Sequence, residues 1–144
     1  MKVLVMTPDS NYFNYWLGGI VGTSELIAST DGFRRAWLQG DTSITSIHYY
    51  DELMEQLLGD LHLKENTVQF ASALKRLDAF DAVSAFAHAV LSLERTVQEN
   101  TDLHDHETLL ASREWASLQA AATRVIELPA AKTYRTGRVD IDLP

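Results

Sequence analysis

Residues 79–93 carry eleven apolar side chains in fifteen: Ala79, Phe80, Ala82, Val83, Ala85, Phe86, Ala87, Ala89, Val90, Leu91 and Leu93. A helix apolar on nearly all sides is buried on several sides. It is too short to cross a bilayer, which takes about 20 apolar residues, and Asp81 and His88 interrupt it. The rest of the chain must therefore wrap around this segment. With 144 residues there is enough chain to do so in one domain, residues 1–144, without disulfides or a metal.

The flanking segments set the expected architecture. Residues 2–6 read as a short strand ended by Pro8 and Asp9. Residues 10–23 combine Tyr12, Phe13, Tyr15 and Trp16 with Gly18, Gly19 and Gly22, which suggests an irregular segment with one helical turn. Residues 24–29 suit a second short strand. Residues 33–39 suit a short helix closed by Gly40. Residues 44–49 are β-branched and aromatic, as in a strand.

From Tyr50 the apolar period changes to about 3.6. Asp51 can cap a helix to about Leu61, with Leu53, Met54, Leu57, Leu58 and Leu61 on one face. Asn66 and Gln69 resemble a capping box for the next helix, whose stripe is Phe70, Leu74 and Leu77. After the central helix, Asp102 or Asp105 can cap a last helix to about Leu128, with Ala111, Trp115, Leu118, Ala122 and Val125 inward and Pro129 stopping it. Residues 139–143 alternate strictly, as a half-buried edge strand does. The expectation is an α+β fold. A predominantly helical bundle, residues 50–128, packs with a small sheet from the N-terminal third and the C-terminal tail.

Charge is concentrated where that bundle is expected. Residues 51–107 hold twelve Asp and Glu against four Lys and Arg, a balance of −8 that equals the formal charge of the whole chain. The pI of about 4.9 argues against direct binding to nucleic acid, whose affinity comes mainly from cationic contacts to phosphate. No cysteine means no disulfide framework and no thiolate nucleophile. No secretory or membrane-spanning signal is present in the sequence, so a cytoplasmic location and no membrane partner are expected.

The chemical motifs are sparse. In Leu103-His104-Asp105-His106-Glu107, imidazoles and carboxylates are good ligands for Zn, Mn or Fe. In a helix, however, residues two apart point to different sides, so His104 and His106 would not converge. The ordinary reading is a polar helix start with acids near its N-terminus. His88 reads as a histidine of the core or a groove edge, and Asp78 and Asp81 as helix-start acids. Gly18-Gly19-x-x-Gly22 lacks the order of a phosphate-binding loop. No catalytic residues, cofactor or metal centre are expected, and no enzyme activity.

The acids and tyrosines read instead as a contact surface. Glu52, Glu55, Asp60, Glu99, Asp102, Asp105 and Glu107 offer charge that speeds and orients association with a basic protein, with Tyr49 and Tyr50 as anchors. A chain that is small, acidic, cysteine-free, single-domain and without a catalytic constellation resembles bacterial immunity proteins of the contact-dependent growth inhibition and polymorphic-toxin systems. That resemblance implies a cytosolic inhibitor that binds a cognate toxin domain, a basic nuclease such as an RNase or tRNase, and occludes its active site. Two alternatives stand beside it. One is a small metal-dependent or hydrolytic enzyme using His104, Asp105, His106 and Glu107. The other is a helical module that self-associates through the aromatic segment.

Overall fold

The structure, a computed structural model, describes residues 10–29 and 31–136. Helix dominates among them, and none of the described residues lies in a strand. The expectation of an α+β fold with a small sheet is corrected by this: the protein is helical. The strands expected at residues 2–6 and 139–143 lie outside the described residues.

The first correction is α1, Ser10–Ala28. It takes in both the segment expected to be irregular and most of the expected strand at residues 24–29. Its buried apolar residues are Phe13, Trp16, Leu17, Ile20, Val21 and Ile27, a helical stripe running from one end to the other. Each interior glycine costs a helix about 1 kcal/mol relative to alanine. Burying this stripe outweighs that cost. Gly19 also has a packing role, because a Cβ there would lie 3.0 Å from Leu61 Cδ2. Leu61 is held in that place by its carbonyl, which accepts from Trp16 Nε1 at 2.7 Å and from Asn66 Nδ2 at 3.1 Å.

The expected strand at residues 44–49 is a loop. Its backbone is served by side chains. Thr45 Oγ1 accepts from the Ile47 N–H at 3.1 Å, and Trp37 Nε1 donates to the Ile47 carbonyl at 3.0 Å. The short helix before it forms as expected, as a wide π-type turn over Arg34–Leu38. Gly40 follows with φ +69, a left-handed conformation that favours glycine.

Helix α2, Tyr50–Met54, continues into a second wide turn, Glu55–Asp60. Its N-cap is Tyr49 and Asp51 lies in the first turn, so the capping role expected of Asp51 is not seen. Helices α3, Leu63–Gln69, and α4, Ala71–Arg76, break at Phe70. Asn66 is a buried interior residue of α3 and forms no capping box.

The apolar segment becomes α5, Phe80–Glu99, with Ala82, Val83, Phe86, Ala87, Val90, Leu93 and Val97 buried. His88 is exposed and does not enter the core. The expected last helix is in pieces: a 3-10 turn Thr101–His104, α6 His106–Leu110 and α7 Arg113–Ile126. Pro129 ends nothing by itself. It opens α8, Pro129–Thr136, at the position where a missing N–H costs least.

Helix α7 lies between α1 and α5 and makes its most extensive contacts with both. Trp115, Leu118, Ala122 and Val125 face inward, while Ala111, expected to join them, is exposed between α6 and α7. Helix α6 packs against the wide turn that carries Trp37. The resulting aromatic cluster joins Trp37 to Phe33, Trp115 and His106. That cluster brings the start of α6 up to the start of α2.

Candidate functional site

A cleft of about 330 Å³ opens where α2, the end of α5, the 3-10 turn and α6 meet. Tyr49, Tyr50, Asp51, Glu94, Val97, Gln98, Leu103, His104 and His106 line it. No described lining residue is a lysine or arginine.

Tyr50 holds the site together. It is the first residue of α2, so its N–H has no partner inside its own helix. That N–H donates to His106 Nε2 at 3.3 Å. The Tyr50 hydroxyl donates to Glu94 Oε1 at 2.8 Å. One residue thus ties α2 to α5 and α6, across separations of 44 and 56 residues. Burial, and then the adjacent Glu94 carboxylate, push the Tyr50 phenol far above its ordinary value. It therefore stays protonated and keeps donating.

Glu94 is fixed from a second side. Its Oε2 accepts from Gln98 Nε2 at 2.9 Å, one turn further along α5. His106 is half-buried, its ring tilted against Trp37 with centroids 4.8 Å apart. Acceptance at Nε2 leaves the proton of the neutral ring on Nδ1. Burial lowers the His106 pKa below its ordinary value, against the opposing charges of Asp105 and Asp51. The neutral ring suits its acceptor role. His104 Nε2 lies 3.0 Å from the Val97 carbonyl.

The residues of the expected contact surface divide into two groups. Tyr49 and Tyr50 line the cleft. Tyr49 is 49% exposed, whereas the Tyr50 ring is buried and its polar atoms are engaged within the chain. Glu52 stands in the first turn of α2, and its Oε1 accepts from the His48 N–H at 3.2 Å. Glu99, Asp102, Asp105 and Glu107 are exposed on the elements that form the other wall. Asp105 caps α6, accepting from the Thr108 N–H and hydroxyl at 3.0 Å each. Those bonds, the backbone one foremost, hold its carboxyl below the usual range. Asn100 Oδ1 accepts from the Asp102 N–H, so Asn100 and not Asp102 caps the 3-10 turn, and Asp102 is exposed. Glu55 and Asp60 are exposed along the second wide turn; like Glu52, Glu99, Asp102, Asp105 and Glu107, they do not line the cleft.

The His104-Asp105-His106-Glu107 set does not converge. One imidazole faces the Val97 carbonyl, the other takes the Tyr50 N–H, and Asp105 caps a helix. Among the described residues no group of three or more His, Asp or Glu is gathered as a metal would require. No described helix is long and apolar enough to cross a membrane.

Reasoning from sequence missed Glu94, Gln98, Asp51 and Trp37 as site residues. Glu94 left a signal. It falls four residues after Val90 and one after Leu93, so the apolar stripe of α5 delivers a carboxylate to the edge of the core. Trp37 left none, because only packing sets its ring against His106.

Comparison with family models, with curated proteins and with solved structures finds no match to the chain.

Proposed function

We propose that this chain is a binding protein that neutralises a basic protein partner, in the manner of the immunity proteins it resembles. The partner fitting that resemblance is a toxin domain with nuclease activity, and the mode of action is occlusion without turnover. One observation carries the proposal. Tyr50 ties the first turn of α2 to Glu94 and His106, so that the carboxylates of Asp51 and Glu94 line one cleft whose described lining has no lysine or arginine, while Glu99, Asp102, Asp105 and Glu107 are exposed on the elements beside it.

The physics favours recognition over catalysis. Nucleases hold phosphate with Lys and Arg, so an acidic surface can occupy the same ground. Exposed acids add little affinity each, but together they steer encounter and fix orientation. The fixed cleft at their centre offers a place for partner side chains to be buried, which is where binding energy concentrates.

The test takes a basic nuclease toxin domain as the candidate partner. Its association with the purified protein is followed by stopped-flow fluorescence at low and raised salt, together with inhibition of its nuclease activity. Replacing Glu99, Asp102 and Glu107 together by lysine is expected to slow association by about tenfold or more at low salt and to flatten its salt dependence. Unchanged rates and unchanged salt dependence would refute this assignment of the face.

A further inference from the structure

We propose that the cleft receives one arginine side chain of the partner, its guanidinium seated on the Glu94 carboxylate. This rests on the reading of the chain as an inhibitor of a basic protein and names the chemistry of its central contact.

Glu94 is preorganised for such a group. Its two oxygens each accept one donor from the protein, Tyr50 Oη at 2.8 Å and Gln98 Nε2 at 2.9 Å. A carboxylate oxygen has two lone pairs, so each oxygen keeps one for a further donor. Two fixed acceptors side by side match the planar fork of a guanidinium, which makes two parallel hydrogen bonds. Holding Glu94 from two directions also removes the rotamer entropy that binding would otherwise cost.

The walls suit the same group. Tyr49, Tyr50, His104 and His106 present rings around the cleft, and guanidinium planes stack on aromatic faces. Asp51 adds a second carboxylate at the rim, exposed and able to approach the bound cation. No described lysine or arginine lines the cleft, and His106 Nε2 is already engaged by the Tyr50 N–H. A volume of about 330 Å³ is ample for one long side chain. Lysine fits less well. Its ammonium is a compact, strongly hydrated point charge that cannot span both oxygens in one plane.

The experiment is an NMR titration of the full chain with acetyl-Gly-Arg-Gly-amide, its lysine and citrulline counterparts, and free arginine. The arginine peptide is expected to shift the Gln98 side-chain amide and the His106 ring saturably, with millimolar affinity. The lysine peptide should bind about tenfold more weakly, the loss of one of two charge-assisted hydrogen bonds. The citrulline peptide, similar in shape but neutral, should give no response. Glu94→Gln, which still accepts the Tyr50 hydroxyl, should abolish the arginine response. Asp51→Asn removes a rim charge and no hydrogen bond of the cleft, and should weaken the response several-fold, so the assignment stays testable if the Glu94 variant misfolds.

Equal responses to arginine and lysine would overturn the assignment, as would full binding to Glu94→Gln or no response at all. Binding of free arginine with none of the peptide would overturn the assignment to a protein side chain. These outcomes are separable from the inhibitor reading. Glu99, Asp102 and Glu107 do not line the cleft, so their reversal tests partner association while leaving the arginine contact in place.

Discussion

Replacing Tyr50 by Phe keeps a ring of the same shape in a buried place and removes only the hydroxyl that joins α2 to Glu94. Hydrogen bonds to charged groups contribute about 1.5–3 kcal/mol. Glu94 is only half-buried and keeps its bond from Gln98, so water can replace part of the loss. The expected cost is at the low end, about 1.5 kcal/mol. For a chain of this length that lowers the melting temperature by about 3–6 °C. Urea unfolding of Tyr50→Phe, Glu94→Ala and the double variant closes a thermodynamic cycle. The coupling energy should be about 1 kcal/mol or more, as for residues in direct contact. Alkaline titration gives a second reading. The Tyr50 phenol is raised above its unfolded value of 10.0, so its contribution is fully present below pH 10 and is lost at higher pH. One of the five tyrosines should therefore resist ionisation until the protein unfolds, and Tyr50→Phe should remove that late step. Additivity within about 0.3 kcal/mol in the cycle would refute the link between the two acid-bearing segments, and with it the basis of the proposed contact face.

Three further outcomes follow from the same geometry. Burial lowers the native pKa of His106, so the unfolded state binds more protons. Its contribution is fully present above about pH 6.5 and is lost as pH falls toward the lower native value; thermal melts of His106→Gln should show a weaker fall of melting temperature across that window, and parallel curves would contradict it. Gly22→Ala should stabilise by up to about 1 kcal/mol, because the new methyl meets nothing within 4 Å. Gly19→Ala should lose most or all of that gain against Leu61, and equal denaturation midpoints for the two variants would count against the close approach. Ser112 Oγ accepts from the Trp115 N–H at 3.1 Å, so Ser112→Ala should cost about 1 kcal/mol in urea unfolding, with a negligible change showing that α7 does not depend on its cap.

Several features of the fold were legible in the sequence because their cause is local. The density of apolar residues at 79–93 marked a core helix, and α5 forms there, but it buries one stripe and leaves Asp81, His88 and Ser92 exposed, while the helix packed between its neighbours is α7. Leu53, Met54, Leu57 and Leu61 repeat at helical spacing and are buried. Gly40 closes the short helix at Arg34–Leu38 because it alone among the nearby residues tolerates a positive φ without strain. In α1 the local signals pointed the other way. Three glycines and β-compatible residues disguised a helical stripe whose stability comes from α7 and α8, far along the chain. At residues 44–49 β-branched residues suggested a strand, yet Trp37 and Thr45 satisfy the Ile47 backbone in place of a neighbouring strand.

The site divides in the same way. By itself the sequence determined that the acids concentrate between residues 51 and 107, and that His104 and His106 sit too close in the chain to act as a helical metal pair. Those are matters of composition and spacing. Only the tertiary structure decided that Tyr50 would meet Glu94 and His106, that Trp37 would support the His106 ring, and that of the expected contact residues Tyr49 and Tyr50 alone would line the cleft. Hydrogen bonds between residues 44 and 56 positions apart leave no periodic trace in a sequence. They exist because α6, packed on the wide turn carrying Trp37, sets His106 against the first turn of α2, whose open N–H takes it as a partner.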